Sequence, residues 1–131
     1  MPKTKMIDPE GSESIRDAFK FSQAVVAGDR VEASGQVGVR IEDMHIPPEI
    51  REQARQAFTN LKNVLETAGS SLPNVLHLTL YTTDISESRI ISEVLVEFFG
   101  ERYPAQTMVQ VSSLVLPQLR LEIQASAVLD D

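Results

Sequence analysis

Residues 48–69 read PEIREQARQAFTNLKNVLETAG and carry the strongest structural signal in the chain. Their apolar side chains recur at three- and four-residue spacings, which places them on one stripe of an amphipathic helix. Pro48 is tolerated in the first turn of such a helix, and Gly69 suits the left-handed conformation that ends one. A long helix that covers a core is therefore predicted. Its apolar stripe consists of Ile50, Ala54, Ala57, Phe58, Leu61, Val64, Leu65 and Ala68.

Two antiparallel strands are predicted before this helix. Residues 19–26 are rich in β-forming side chains, a tight turn follows at Gly28, and residues 30–39 form the second strand. Gly35 lies inside the second strand, where a glycine leaves the backbone open to a close neighbour or a ligand. Residues 1–17 have no clear periodicity and are expected to be an irregular lead-in.

The sequence after the long helix predicts a strand, a second helix and two final strands. The first strand runs from Val75 to Thr83, with Leu76, Leu78 and Leu80 on one face, and Asp84 or Ser86 can cap the helix that follows. The apolar stripe of this helix consists of Ile90, Ile91, Val94, Leu95 and Phe98, and the last strands span residues 105–111 and 120–128.

The predicted order β-β-α-β-α-β-β corresponds to one mixed sheet with two helices on one face. This arrangement is a two-layer α+β fold, and 131 residues suit a single domain over residues 1–131. The chain leaves the other face of the sheet uncovered, where His77, Thr79 and Tyr81 mix polar and apolar character. We therefore expect this face to self-associate in an oligomer.

The composition excludes several classes of protein. The chain has no cysteine, which rules out disulfide scaffolds, thiol nucleophiles and Cys-ligated metal sites. Its two histidines lack metal-ligand spacing, so no metal site is expected. The net charge of −7 disfavours a nucleic-acid partner. Without a signal sequence or an apolar run of roughly 18 residues, a cytoplasmic protein with no membrane partner is expected.

One carboxylate lies in the middle of the last predicted strand. The strand reads Arg120-Leu121-Glu122-Ile123-Gln124-Ala125, and alternation places Arg120, Glu122 and Gln124 on one face. The pattern alone favours a solvated ladder on the sheet surface. The alternative is that Glu122 lies in a pocket, where a carboxylate can hold a water molecule and deprotonate it.

A series of short motifs follows in a fixed order along the chain: Ala33-Ser34-Gly35-Gln36, residues 53–61, residues 65–69, Tyr81-Thr82-Thr83-Asp84, Phe98-Phe99-Gly100, Tyr103-Pro104-Ala105 and residues 121–125. In their order and spacing, these motifs resemble the RidA (YjgF/YER057c/UK114) superfamily over about residues 21–128. The resemblance implies a chorismate-mutase-like fold and a homotrimer with pockets between the subunits. It also implies hydrolysis of reactive enamines and imines to 2-oxo acids and ammonia without a metal or an organic cofactor.

The resemblance also implies roles for individual residues. Glu122 matches the glutamate that positions the attacking water in the family. Ser34 and Gly35 match a Ser-Gly pair whose backbone lines the pocket. Met108 stands where many members have a cysteine, and its backbone N–H can still act as a hydrogen-bond donor in the pocket. Phe21 stands where the family has a tyrosine, so the ring is kept and the hydroxyl is lost.

Gln106 stands where the family has an arginine that pairs with the substrate carboxylate. A guanidinium grips a carboxylate through two charge-assisted hydrogen bonds, whereas an amide forms only neutral ones. This difference predicts a ligand that is neutral, or that carries an amide, ketone or hydroxyl for Gln106 and Thr107 to contact. Arg120 or, from a loop, Arg102 is an alternative source of positive charge near the pocket.

Three classes of function follow. The leading one is a RidA-like hydrolase of small enamine or imine intermediates whose substrate preference is altered by Gln106. The second class uses the same pocket between subunits for proton transfer, tautomerisation or a lyase step on a small pathway intermediate. The third is a trimeric module that binds a small molecule or a protein without catalysis. A ribonuclease activity is disfavoured by the acidic charge and the lack of a histidine pair or basic cluster.

Overall fold

The computed structural model describes the whole chain, Met1–Asp131, and its six strands form one mixed sheet. The strand order is β1-β2-β3-β6-β4-β5, and only β4 and β5 are parallel. The strands are β1 (Thr4–Ile7), β2 (Ala24–Ala27), β3 (Arg30–Val37), β4 (Val75–Thr82), β5 (Ala105–Gln110) and β6 (Leu121–Val128). The helices are α1 (Glu13–Phe19), α2 (Ile50–Ala68) and α3 (Ser88–Phe99), with 3-10 turns at Leu72–Asn74 and Ile85–Glu87.

Helix α2 confirms the prediction made from residues 48–69. Its apolar stripe is buried along the sheet, with only its last residue, Ala68, half-buried. The helix ends at Gly69, whose φ of 94° is the left-handed conformation that a glycine adopts without strain. Pro48 lies before the first helical residue, Ile50, rather than inside the first turn.

Helices α2 and α3 pack side by side on one face of the sheet, as the two-layer α+β fold requires. The ring of Phe58 stacks on Phe98 at a centroid distance of 5.4 Å and meets Phe99 edge-on at 6.2 Å. At the surface, Arg51 pairs with Glu93 at 2.8 Å. These contacts join the two helices, and the hydrophobic core lies between the helices and the sheet.

Residues 1–17 are not an irregular lead-in, so this expectation was wrong. Strand β1 pairs antiparallel with β2, with Ile7 opposite Ala24, and helix α1 follows. The predicted strand over residues 19–26 is shorter, since β2 begins only at Ala24. The sequence signal was weak because β1 buries only Ile7 and α1 buries no residue, so neither element has an apolar period.

One predicted face of β4 also needs correction. Leu78 and Leu80 are fully buried, whereas Leu76 is 44% exposed. The pairing of β4 with β6 shifts register between Val75 and His77. Such a bulge breaks the alternation of side chains and turns Leu76 outward.

The sheet face opposite the helices is uncovered in the chain, as predicted. Its side chains bond to one another across strands: Tyr81 donates to Gln124 at 3.0 Å, and Ser126 donates to Glu32 at 2.7 Å. No helix of the chain is both long and apolar enough to cross a bilayer.

Candidate functional site

A cleft of about 470 Å³ lies where the last residues of β3 pair with the first residues of β6. Ten of its 17 lining residues are hydrophobic, so its wall is mainly apolar. We call it the β3–β6 cleft. It is built by α1, the segment before β2, strand β3, the loop before β6, and β6 itself, which contribute among others Phe19, Phe21, Gly35, Leu116 and Glu122.

Gly35 gives the Glu122 carboxylate its space. The β3–β6 ladder shifts register between Ala33 and Gln36 and resumes with Val37 opposite Glu122. A Cβ atom at Gly35 would lie 2.6 Å from the Cδ atom of Glu122 and closer still to its Oε2. Any side chain at this position would therefore displace the flexible end of Glu122, so the glycine is what allows the carboxylate to keep its present position.

Glu122 is a carboxylate without a partner. Burial raises the pKa of Glu122, and no hydrogen bond or neighbouring charge offsets this effect. No Lys, Arg or His lines the cleft. The carboxylate is thus free to bind a water molecule and is more basic than an ordinary surface glutamate. This placement favours the pocket alternative over a solvated ladder.

Ser34 fixes the irregular part of β3 on which Gly35 lies. Its hydroxyl donates to the carbonyl of Ser22 at 2.6 Å, and its N–H donates to the carbonyl of Gln23 at 2.8 Å. The Gln36 amide donates to Oε1 of Gln23 at 2.8 Å and to the Ser34 carbonyl at 3.1 Å. Ser34 therefore lies in the cleft wall, and its hydroxyl proton is engaged in the hydrogen bond to Ser22.

Phe21 lies in the cleft and presents only an apolar ring there. It precedes β2 and is 39% exposed. Phe19, the last residue of α1, lines the same wall. The position predicted from the family's tyrosine is thus at the cleft, where it contributes packing surface instead of a hydroxyl.

The three predicted residues on β5 do not line the cleft of their own chain. Gln106 pairs with Leu78 on β4, which in turn pairs with Ala125 on β6. Gln106 is thus two strand spacings, or roughly 10 Å, to the side of β6. Thr107 contacts His77 on the open face at 3.2 Å, and Met108 packs at the edge of the core.

Arg120 is directed away from the cleft, so its predicted place beside Glu122 was wrong. Its guanidinium pairs with the buried carboxylate of Glu87 and donates to the Pro48 carbonyl at 2.9 Å. Its N–H donates to Oε1 of Gln53 at 2.6 Å. Alternation does not apply because β6 begins only at the following residue.

Arg102 does not reach the cleft either. Its guanidinium donates to the carbonyl of Pro73 at 3.2 Å, just before β4 begins. Of the two histidines, His77 lies on β4 and His45 lies in the loop before α2. No group of three His, Asp or Glu side chains in the chain could hold a metal ion.

Several residues of the cleft were not singled out from the sequence. Ile15 and Phe19 belong to α1, which was not predicted, and Val115 and Leu116 belong to the loop before β6. Gln124 lines the cleft from β6, two residues beyond the carboxylate. The apolar run at residues 114–116 in a loop next to a proline was the available signal, because loops seldom expose such runs.

Comparisons with known proteins agree with this architecture. The sequence model of the family described as Endoribonuclease L-PSP matches residues 12–129. A protein of Dermatophagoides farinae named 2-iminobutanoate/2-iminopropanoate deaminase is 37% identical over 112 residues, which cover 84% of this chain and 86% of that protein.

Two solved structures extend the likeness to the fold. The structure of Escherichia coli TdcF with bound serine has a TM-score of 0.79 at 34% identity and covers 84% of this chain and 88% of that one. A Mycobacterium tuberculosis member of the YjgF/YER057c/UK114 family has a TM-score of 0.83 at 33% identity, with coverage of 96% and 99%. The chain belongs to the Endoribonuclease L-PSP family, within the YjgF/YER057c/UK114 or RidA superfamily predicted from its motifs.

Proposed function

We propose that this protein hydrolyses small reactive imines or enamines and releases ammonia, with Glu122 as the catalytic residue. The observation that carries the proposal is the unpaired carboxylate of Glu122 in an apolar cleft, with a pKa raised by burial. The name of the Dermatophagoides farinae relative, a 2-iminobutanoate/2-iminopropanoate deaminase, supports the same class of reaction.

The proposed reaction needs one base and one water molecule. Glu122 accepts a proton from the water while the water oxygen bonds to the iminium carbon. A carbinolamine forms. Glu122 then passes this proton to the nitrogen, and the C–N bond breaks as the C=O bond forms. Glu122 takes up the hydroxyl proton in this step and hands it to the departing ammonia, which leaves as ammonium. Iminium and water thus become a ketone and ammonium, with no oxidant, metal or organic cofactor. A carboxylate also attracts the cationic iminium in an apolar cleft that lacks other charges.

The raised pKa suits this role and predicts a pH dependence. A base is most effective when its pKa lies close to the working pH, because it can then both take up and return a proton. The rate should fall as the pH is lowered through the pKa of Glu122, since the protonated acid cannot accept a proton. That midpoint should lie above 4.5, the ordinary value for a glutamate.

We further propose that the site is completed between subunits of a homotrimer. Gln106, Thr107 and Met108 cannot reach the cleft of their own chain, because β4 separates β5 from β6. The uncovered sheet face and the free edge of β5 are the surfaces that a second copy could cover. The β5 residues of one subunit would then face the Glu122 of its neighbour.

The substrate preference follows from Gln106. The side chain of Gln106 is exposed on β5 and carries no charge. Its amide lacks both the positive charge and the two parallel donors with which a guanidinium binds a carboxylate, so a carboxylate-bearing imine loses roughly tenfold in affinity. Imines without a carboxylate lose no affinity when glutamine replaces arginine at this position. We therefore propose a shift towards substrates without a carboxylate.

An endoribonuclease activity, although it gives the family its name, fits this chain poorly. The chain carries a net charge of −7, and its cleft contains no cationic side chain. A phosphate backbone is bound through concentrated positive charge. The cleft instead suits a small molecule that is neutral or cationic where it meets Glu122.

The test compares three purified proteins on imines made in situ by amino-acid and amine oxidases. Glu122→Gln removes the base and keeps the shape of the side chain, and we expect kcat/KM to fall at least about 100-fold. Glu32→Gln is the matched control, because Glu32 lies on the neighbouring strand and is engaged by Arg30 and Ser126; its activity should stay close to that of the wild type.

The imine panel should contain carboxylate-bearing and neutral compounds. If the wild type accelerates none of them, hydrolysis is not the function, and proton-transfer or lyase chemistry at the same carboxylate should be assayed next. If Glu122→Gln hydrolyses imines as fast as the wild type does, Glu122 is not the base and the proposal falls.

A further inference from the structure

A second cavity adjoins the β3–β6 cleft and shares part of its wall. Its volume is about 360 Å³, and only two of its 13 lining residues are hydrophobic. It lies between the turn at residues 9–12, the loop that follows β3 and one face of α2. We call it the polar cleft. Its volume falls in the range of about 300–1,000 Å³ that is usual for small-molecule sites, whereas its composition suits a polar ligand.

Two buried glutamines belong to the wall that the two cavities share. Gln23 and Gln36 are each 6% exposed and line both cavities. The Gln36 amide donates to Oε1 of Gln23 and to the Ser34 carbonyl, but Oε1 of Gln36 and Nε2 of Gln23 make no hydrogen bond within the chain. Neither atom is sealed in the core, because Oε1 of Glu87 is the one fully buried side-chain polar atom without a partner. One acceptor and one donor are therefore left for an occupant.

The polar cleft also carries negative charge that nothing in its wall neutralises. Glu10 and Glu42 are exposed lining residues that form no salt bridge, and no Lys, Arg or His lines the cleft. Arg40, which lies near Glu42, is paired with Asp43. Two carboxylates without a counter-charge at a concave surface attract a cation.

We propose that the polar cleft is a binding site for a small organic cation, namely a diamine or a polyamine. Its ammonium groups would meet Glu10 and Glu42, and an N–H of the ligand would donate to Oε1 of Gln36. A metal ion is the poorer occupant, since no group of three His, Asp or Glu side chains in the chain could hold one. The inference does not depend on imine hydrolysis, because Glu122 lines the other cavity.

The chemistry of the wall separates this ligand from other polar ones. An anion would be repelled by both carboxylates. A neutral polar molecule would exchange its hydrogen bonds to water for similar ones to the protein and would gain little. An ammonium group forms charge-assisted hydrogen bonds, which are roughly twice as strong as neutral ones. A chain with an ammonium at each end makes such bonds at two places.

Isothermal titration calorimetry of the full chain tests the proposal with spermidine as the probe. We expect one site per chain with a Kd below about 1 mM. Octanediol, an uncharged diol of the same length, should give no binding. Mg²⁺ at the same ionic strength should not displace spermidine beyond the effect of sodium chloride, since screening alone acts equally for both salts.

A charge placed in the polar cleft locates the binding. Asn63 is an exposed residue of α2 that lines the cleft. Asn63→Lys should weaken spermidine binding at least about tenfold through repulsion. Thr67→Lys is the matched control, because Thr67 is exposed one turn later on α2 and lies outside the cleft. It adds the same charge to the same helix and should change the Kd by less than about twofold.

Removal of the two carboxylates tests their part in binding. The double variant Glu10→Gln, Glu42→Gln should weaken spermidine binding about fivefold, as expected for two exposed charge pairs. The double variant Glu66→Gln, Glu101→Gln removes two exposed carboxylates outside the cleft and should leave the Kd unchanged. All six substituted residues of the two experiments are exposed, and circular dichroism checks that each variant is folded.

Three results would overturn the inference: no binding of spermidine to the wild type, binding of octanediol as tight as that of spermidine, or equal weakening by Asn63→Lys and Thr67→Lys. The last result would mean that spermidine responds to the net charge of −7 and not to the polar cleft. None of these results bears on the proposed function, which fails only if imines are not hydrolysed or Glu122 is dispensable.

Discussion

The β3–β6 cleft and the edge strand β5 contain the two halves of the predicted site, and they differ in how far a single chain prepares them. In the cleft, Gly35 makes room for the carboxylate and Ser34 ties the bulged strand to the segment before β2. On β5, the side chain of Gln106 is exposed and makes no hydrogen bond within the chain.

This difference separates the residues that one chain positions by itself from those that it leaves exposed. A carboxylate whose space and pKa are set by its own chain is preorganised for proton transfer. Residues on an open strand edge are not, and such an edge is a surface that another chain can cover. Under the proposed function, the cleft is the chemical half of the site and β5 is the half that a neighbouring subunit would supply.

The largest predicted effect concerns the preparation of the cleft. Gly35→Ala should lower kcat/KM for imine hydrolysis about 100-fold, because the added Cβ would collide with the carboxyl group of Glu122. The measurement is steady-state kinetics, together with circular dichroism to show that the variant is folded. Activity within threefold of the wild type would mean that the carboxylate does not need its present position.

The second prediction asks whether Arg120 belongs to the cleft or to the scaffold. Arg120→Met leaves the buried carboxylate of Glu87 without its partner and should lower the free energy of unfolding by about 2 kcal/mol. Denaturant titration measures this loss. The double variant Arg120→Met, Glu87→Gln should recover much of it, since no buried charge is then unpaired.

A different result would place Arg120 in the substrate site. If Arg120→Met keeps its stability but loses kcat/KM only on carboxylate-bearing imines, its guanidinium reaches the substrate despite its contact with Glu87. The structure predicts the opposite outcome, with stability lost and selectivity kept.

The third prediction sharpens the role of β5. Gln106→Arg should raise kcat/KM for carboxylate-bearing imines about tenfold, because two charge-assisted bonds replace neutral ones. Neutral imines of similar size serve as the control and should gain nothing. An equal gain on both kinds of imine, or on neither, would show that residue 106 does not contact the substrate.

The smallest effect concerns stability against pH. Because burial raises the pKa of Glu122 above its ordinary value of 4.5, the ionised carboxylate lowers the stability of the folded state at neutral pH. Glu122→Gln should therefore melt slightly higher than the wild type at pH 7. This gain should disappear as the pH falls through the folded-state pKa towards 4.5, and a variant less stable than the wild type at pH 7 would contradict it.

Much of the fold could be predicted because its main elements have clear periods. Helix α2 has an unbroken apolar stripe and ends at Gly69, and strands β3 to β6 lie close to their predicted ranges. The four-residue β1 and the helix α1, which buries nothing, have no such pattern. Strand β1 is held by its pairing with β2, which is not visible in a local sequence pattern.

The main candidate residues were predicted from the sequence, but their surroundings were not. The strand pattern singled out Glu122 and Gly35, the resemblance implied their roles, and the structure shows that the two residues approach each other closely. The orientation of Arg120 could not be predicted, since it depends on Glu87 and Gln53 from distant segments. The place of Val115 and Leu116 in the cleft wall could not be predicted, because it depends on the path of the loop before β6.

The most direct test of the central claim is a hybrid of two inactive variants. Glu122→Gln removes the base from one subunit, and Gln106→Glu combined with Thr107→Ala disables β5 in another. Each variant alone should be inactive. Differently tagged copies, co-expressed and purified through both tags, should recover activity in about one third of their sites if each site of a trimer joins β6 of one subunit to β5 of its neighbour. If the hybrid stays as inactive as its parents, the two halves do not meet across a subunit interface, and the account of the site is wrong.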